Sequence, residues 1–541
     1  MRPQAESGVH RPTARPQPPT RDCLGVGGCT PIRLARVLPH RLLLAVLGGV
    51  AILLAFPGYD VWWLAPVGCG ALALATAGAR WTTGALCGVL LGLTWFTPMF
   101  AWASTYAGPM PWLAMSAASA LYPGALGALL ALLQRGGAVR PLVGAAAWVL
   151  MEHARSVTPF GGFPWARLSF SQADSPLLGA VSLVAVPGLG LLVALVGGLL
   201  AVAAQRLLDR RRPDRVRALA ALGAALVLVL APLLVPRPTA GQQITVAAVQ
   251  GDIPPGFTRT LTADPGTMLQ RYTDRTHDLA ASVRAGTTPY PDLVLWPEGA
   301  TDLDPLGART GALATERIMA AVEDVDAPVV LGGTSRRGDP DGPPWNMVFS
   351  YLPGEGLDRT YSKVYLAPFG EFMPLRPLMR HLSPWVDRIA DFAAGDRPGV
   401  MPVPLRDGGQ VDLGLAICFE VVVDPAVRDV VLGGADLLVV PTSNAWFGEG
   451  DQSVQHIAAS RVRAVEYGRS VVHISNVGVS GLITPDGVVH ERTGLFTEAV
   501  LVGELPLRSA RTLALTTGPW VAPAALVVVL AGLLRARRLP R

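Results

Sequence analysis

Lysine is nearly missing from this sequence. Of 45 basic residues, 44 are arginine, and the single lysine is Lys363. Guanidinium groups supply positive charge everywhere else, so position 363 stands out as one that keeps a compact ammonium. Cysteine is scarce too, at five residues. Cys23 and Cys29 precede the first apolar run, Cys69 and Cys87 lie inside apolar runs, and the polar region 238–517 holds Cys418 alone. That excludes a disulfide framework, because oxidising compartments favour paired cysteines. Cys418 is then either a small buried hydrophobe or a reactive thiol. The same region has no His/Cys cluster at metal-ligand spacing and no specific phosphate-binding glycine loop, so no metal or nucleotide cofactor is expected. No internal repeat is visible. Charge is also low, at 16% of residues against 50% hydrophobic, which is too apolar for a wholly soluble chain and too polar for one that is all membrane.

Mapping the charge resolves this. Residues 42–235 are dominated by long apolar runs with few acids, 238–517 reads as ordinary α/β protein, and one more apolar run closes the chain. Crossing the hydrocarbon takes about 20 apolar residues, and the runs 42–57, 61–78, 83–103, 112–133, 140–153, 177–203, 216–235 and 519–534 are the expected spans. The run 140–153 is short and ends at Glu152, His153 and Arg155. Arginines cluster before the first run, between the sixth and seventh (Arg206, Arg210, Arg211, Arg212, Arg215, Arg217) and after the last (Arg535, Arg537, Arg538, Arg541). All three clusters share one side only if 140–153 crosses, so the positive-inside rule favours eight spans with both termini cytoplasmic. The expected organisation is a disordered Pro/Arg-rich tail (1–40), a seven-helix membrane domain (41–236), an extracytoplasmic domain (237–517) and a closing span with a basic tail (518–541).

In the extracytoplasmic region, strands are expected at 243–250, 291–300, 327–337, 345–353, 360–368, 411–423 and 435–448. A helix follows to about Tyr467 and another strand starts at Ser470. "GEGLDR" reads as a hairpin turn. Polar residues collect just past strand ends, the edge where ligands bind in α/β sheets. Glu298 follows one strand, Lys363 sits on a hairpin strand, and Cys418 stands where a strand meets a sharp turn. Alone, each has an ordinary explanation: a loop carboxylate, a surface charge, a buried thiol. Together they supply a cysteine-based acyl transfer. The thiolate attacks, a carboxylate with a raised pKa takes its proton, and a cation stabilises the oxyanion. Lysine suits that last task as a point charge, whereas arginine's planar fork is larger and matches flat anions.

"LWPE" (295–298), "YSKVYLAPFGEFMP" (361–374) and "LAICFE" (415–420), in this order and within a multispan frame, resemble the nitrilase (carbon–nitrogen hydrolase) superfamily and its membrane-embedded apolipoprotein N-acyltransferase branch. The resemblance implies an αββα sandwich beside the membrane helices. It makes Glu298 the general base, Lys363 the oxyanion-stabilising cation and Cys418 the acylated nucleophile, with Glu371 and Glu420 orienting Lys363 and shaping the site. It also implies ping-pong transfer of an acyl chain, through a thioester, from a membrane phospholipid to the N-terminal diacylglyceryl-cysteine of a lipoprotein. The expected location is the bacterial plasma membrane, and no nucleic-acid partner is implied. The sequence departs from the family pattern twice, with Phe419 where many relatives carry Tyr and "SNAWFG" where many have an Asp after the Asn. A lipid substrate gives a reason for the apolar, proline-rich "FMPLRPLMRHLSPWV", read as a lid carrying Phe372, Leu378, Met379 and Trp385. The alternatives are a membrane-tethered amidase, which shares the triad, and a transporter or scaffold, which the lack of ionisable residues in the span cores disfavours.

Overall fold

The computed structural model describes residues 31–105, 108–209, 213–253, 264–381, 386–387 and 389–538. The chain divides into two compact units, residues 1–40 and 41–541. Residues 31–40, expected in a disordered tail, are helical and begin the helix Pro31–Leu54; residues 1–30 lie outside the described residues. All eight expected apolar segments fall on helices, but five are long and apolar enough to cross a membrane by length and composition: Trp81–Met99, Pro109–Leu133, Pro176–Leu208, Arg215–Leu234 and Ala514–Arg537. The Leu38–Leu54 part of the first helix and the helix Leu64–Thr76 are shorter apolar segments. The expected fifth span is the 17-residue helix Pro141–Val157, whose Glu152 and Arg155 are buried. Among the described residues, length and composition thus give five spans where eight are expected.

Small residues decide how the helices meet. A Cβ on Gly84, Gly88 or Gly92 of helix 81–99 would collide with helix 109–133 at Gly127, Pro123 and Ala120. That row of glycines lets the two backbones touch, the usual solution where no hydrophobic drive separates helix from lipid.

The described residues of the polar region build twelve strands in two six-stranded sheets. The first holds β1 (Gln242–Gln250), β2 (Leu293–Leu295), β3 (Val329–Ser335), β4 (Trp345–Leu352) and β5 (Gly356–Ser362), and β12 (Ala499–Leu507) pairs outside β1. The second runs β11 (Val489–Arg492), β10 (Gly481–Ile483), β9 (Ser470–Ser475), β8 (Leu437–Thr442), β7 (Gln410–Leu415), β6 (Val400–Pro404). Strand alternation sorts the apolar side chains to two faces. Ile244, Val246, Leu293 and Leu295 join Leu413, Leu415, Leu437 and Val439 in the core between the sheets. Ala247, Val249 and Val294 face the helices 267–284 and 311–325 through Leu269, Tyr272, Ile318 and Val322. On the far side, Leu438 and Val440 meet Val427, Val462 and Val465 of the helices Asp424–Leu432 and Gln452–Tyr467. This last layer shares one apolar cluster with the membrane-helix part, whose helices contribute Leu91, Trp95, Trp148 and Leu189. The strand expected over 411–423 stops at Leu415, and Cys418–Val422 is a 3₁₀ turn. The hairpin turn is also tighter than expected, because Gly354 and Gly356, at φ +71° and +90°, let β5 start early.

Candidate active site

Strand exits from both sheets converge on one place. Glu298 follows β2, Lys363 follows β5, Cys418 follows β7 and Ser443 follows β8. Gly332 on β3 lies so close beneath Glu298 that a Cβ there would meet the Glu298 Cα at 2.7 Å. Cys418 sits at φ +52°, a conformation that presents a side chain on a sharp turn and is strained for any residue but glycine.

Lys363 is 1% exposed, and its Nζ lies 2.8 Å from Glu371 Oε2 and 3.8 Å from Glu298 Oε1. Asn346 on β4 ties the two carboxylates together, its Nδ2 donating to Glu298 Oε1 at 2.6 Å and to Glu371 Oε1 at 2.7 Å. The backbone N–H of Ser443 donates to Glu298 Oε2 at 2.8 Å, and that of Ala367 donates to Glu371 Oε2 at 2.8 Å. Each carboxylate is thereby aimed from two sides.

Glu420, expected to orient Lys363 and shape the site, makes its hydrogen bonds mostly to backbone. It is 1% exposed, and Lys363 makes no ion pair with it among the described residues. Its Oε1 accepts the backbone N–H groups of Val364 and Tyr365 at 2.9 and 3.0 Å, and its Oε2 accepts that of Ile417 at 2.8 Å. Glu420 thus laces the chain after Lys363 to the chain before Cys418, fixing the spacing of the two side chains.

The electrostatics follow from burial. Removal from water pushes the Cys418 thiol up to about 12, nearby Glu298 adds to this, and Lys363 opposes both. Burial also raises Glu298, with Lys363 pulling the other way. For Lys363 burial disfavours the charge, but Glu371 and Glu298 outweigh it and the ammonium is held more firmly than in water. At neutral pH the site rests with a protonated thiol beside a fixed cation and a carboxyl group whose proton affinity has been raised. No group of His, Cys, Asp and Glu able to hold a metal occurs among the described residues.

Residues 48–199 match the family model for the apolipoprotein N-acyltransferase N-terminal domain, and residues 245–514 match the carbon–nitrogen hydrolase model. The apolipoprotein N-acyltransferase of Mycolicibacterium smegmatis is 35% identical over 90% of this chain and 83% of its own, and that of Ralstonia nicotianae is 31% identical over 96% and 98%. This chain belongs to the apolipoprotein N-acyltransferase family. The family's enzyme from Photobacterium profundum is 28% identical over 89% of this chain and 92% of its own. A solved amidase of the nitrilase superfamily from Nesterenkonia AN1 is a distant likeness, at 23% identity and a TM-score of 0.36 over 50% of this chain and 93% of that one.

Both departures from the pattern of the apolipoprotein N-acyltransferases have a visible setting. Phe419 stacks on Phe163, from the segment after helix 141–157, with centroids 6.0 Å apart and planes 11° apart. Phe419 thereby makes an aromatic contact to the membrane-helix part. In "SNAWFG", Asn444 is 1% exposed, donates to Gln452 Oε1 at 2.5 Å and accepts from Ser475 Oγ at 2.6 Å. Asn346 escaped the sequence reading because "WNMVFSYLP" reads as a plain strand. The one available signal was a polar residue at the strand's first turn inward.

The lid residues are partly placed. Leu378 is 54% exposed beside Leu375 at 56%, Phe372 and Met379 are half-buried, and Trp385 lies outside the described residues. Arg376 holds the base of this segment, bonding Asp391 and the carbonyls of Val386 and Ile389 at 2.6 to 3.1 Å. Phe369, 48% exposed, meets Phe160 of the membrane-helix part edge to face at 6.3 Å.

Proposed function

We propose that this protein, an N-acyltransferase by family, moves a fatty acyl chain from a membrane phospholipid to the α-amino group of a lipoprotein's diacylglyceryl-cysteine by a ping-pong route through Cys418. The observation that carries the mechanism is the convergence of Glu298, Lys363 and Cys418, with Asn346 locking the first to Glu371. Cys418 Sγ attacks the ester carbonyl carbon while Glu298 takes the thiol proton. Lys363 Nζ stabilises the oxyanion, and losing such a donor costs ~10²–10³ in rate. Collapse expels the lysophospholipid oxygen, which takes the proton from Glu298 and leaves a thioester. The neutral amine then attacks the thioester and gives a proton to Glu298. Sulfur leaves and recovers that proton, and an amide is released. Raising the carboxyl's proton affinity towards that of the thiol makes this exchange less uphill.

The amidase alternative has less behind it, since relatives named as acyltransferases match both the helical and the α/β parts. The five long apolar helices make this a membrane protein. The three arginine clusters support the finer reading of eight crossings with the α/β part outside the cytoplasm of a bacterial plasma membrane.

Intact-protein mass spectrometry after incubation with phospholipid tests the reading. The wild type gains one fatty-acyl mass that hydroxylamine removes, and Cys418→Ala gains nothing. A folded wild type that stays unmodified would sink the acyl-enzyme route. The exposed Leu375, Leu378 and Phe369 support a lipid-facing lid. Leu378→Ser with Met379→Ser should then slow turnover on a lipoprotein at least about tenfold more than on a short soluble ester. An equal loss on both substrates rules the lid out.

A further inference from the structure

Glu152 and Arg155, both buried in helix 141–157, take no part in the steps above. They hold the backbone that follows. Arg155 Nη1 donates to the Phe163 carbonyl at 2.7 Å and its Nη2 to that of Ala166 at 3.3 Å, while the Phe163 N–H donates to the Arg155 carbonyl at 2.8 Å. Glu152 Oε1 accepts the Leu168 N–H at 2.7 Å. Residues 163–168 are therefore tied at both ends to the membrane-helix part.

Every second side chain of this segment lands on the surroundings of Cys418. Phe163 stacks on Phe419, the next residue after the cysteine. Trp165 donates to Gln455 Oε1 at 2.8 Å and packs 5.2 Å from the ring of His456. His456 is fully buried, and its Nε2 lies 2.9 Å from the Cys418 carbonyl oxygen. A carbonyl only accepts, so Nε2 carries the hydrogen. Arg167, 3% exposed, donates from Nη1 to both carboxylate oxygens of Asp424 at 2.8 Å. Asp424 stands just past the 3₁₀ turn Cys418–Val422 and opens the next helix. Burial disfavours its charge, but Arg167 and Arg463 outweigh that and hold the carboxyl below its usual range.

The backbone of Cys418 needs such a grip. At φ +52° a residue other than glycine persists only where its surroundings over-determine it. The α/β part supplies two holds, Glu420 on the Ile417 N–H and His456 on the Cys418 carbonyl. The membrane-helix part backs the second through Trp165 and adds a third at Asp424.

We propose that residues 163–167 are a brace lent by the membrane-helix part to the nucleophile, with Arg167 as its positioning residue: by holding Asp424 at the far end of the turn, it keeps Cys418 where Glu298 and Lys363 converge. The inference rests on Cys418 being the nucleophile. It gives the helices a task beyond anchoring, because the α/β part alone lacks one end of the grip.

The test follows single-turnover acyl-enzyme formation by the full-length chain, in mixed micelles of phosphatidylglycerol and phosphatidylethanolamine at a range of lipid concentrations. Arg167→Met lowers the limiting rate by about 10–10²-fold, the cost of a small misplacement of a reacting group, and leaves the half-saturating lipid concentration unchanged. Asp424 keeps Arg463 in that variant, so no charge is stranded. Arg167→Lys recovers most of the rate, because an ammonium can bridge both Asp424 oxygens as the single Nη1 does. Asp174→Asn breaks the 2.7 Å pair with Arg461, which joins the same two parts away from the turn, and keeps the wild-type rate. Amide hydrogen exchange over 417–423 quickens in Arg167→Met and in neither of the other two. The proposal is overturned if Arg167→Met keeps the wild-type rate, if the half-saturating concentration moves in place of the rate, if Arg167→Lys is no better than Arg167→Met, or if Asp174→Asn loses as much. Should Arg167→Met fail to fold, Arg167→Gln is set against Arg167→Lys in the same way. Exchange needs no substrate, so a wild type that never acquires an acyl group would sink the thioester route, whereas exchange over 417–423 left unchanged by Arg167→Met would sink the brace.

Discussion

Lys363→Arg lowers acyl-enzyme formation by at least about a thousandfold although it preserves the charge. Lys363 is 1% exposed, so the larger group has no solvent to swing into. Its partners are also already committed. Glu298 and Glu371 each give one oxygen to Asn346, and their other oxygens take the Ser443 and Ala367 N–H groups. A guanidinium needs two acceptors side by side in its own plane, and no such pair is free. Overpacking a filled site costs about 1–3 kcal/mol, and a displaced oxyanion donor costs ~10²–10³ in rate. The two effects act together. Single-turnover mass spectrometry with a melting-temperature control checks the outcome. A folded arginine variant within about tenfold of wild type would mean that charge alone suffices.

Arg463→Met has the largest expected effect on stability. Arg463 and Glu466 are 0% and 1% exposed at their side chains and 2.5 Å apart. Glu466 also accepts the Val186 backbone N–H of the membrane-helix part at 2.9 Å. Arg463 further donates to Asp424 at 2.8 Å and to the Val421 carbonyl at 2.8 Å, within the turn that begins at Cys418. Asp424 keeps a second partner, Arg167, at 2.8 Å. Glu466 has no second cation in an ion pair among the described residues. Removing one member of a buried pair costs about 3–5 kcal/mol, mostly because the other charge is stranded. The melting temperature in detergent should fall by several degrees, and Arg463→Met with Glu466→Gln should recover most of the loss. If the double variant is no better than the single, the stranded charge is not the cause.

These residues show where sequence reading succeeds and stops. Glu298, Lys363 and Cys418 were legible because each breaks a local pattern: an acid after an apolar run, the only lysine, the only cysteine of its region. Asn346 breaks none, and its importance exists only across strands. Arg463 and Glu466 in "SRVRAVEYGR" look like the polar face of a helix, and nothing local says that this face is covered by membrane helices. β6, "VMPVP", carries two prolines and is tolerated because it is an edge strand. Glu420 stands out in its motif, but which backbone N–H groups it bonds is not legible, because a carboxylate leaves no mark on the residues it holds. Glu152 and Arg155 likewise made helix 141–157 look like a poor span, and they are buried within it.

The lone ammonium has one more consequence. An enzyme that passes acyl groups from a thioester to an amine must not become its own acceptor. Lys363 is the one side-chain primary amine in the chain, and it lies close enough to Cys418 for each to alter the other's proton affinity. A free amine there would take the acyl group irreversibly as an amide. Held as an ammonium between Glu371 and Glu298, it has no lone pair to attack with. On the proposed thioester route, the carboxylates that hold Lys363 as the oxyanion's cation would therefore also shield the enzyme from inactivating itself, and arginine everywhere else leaves no second side-chain amine to protect.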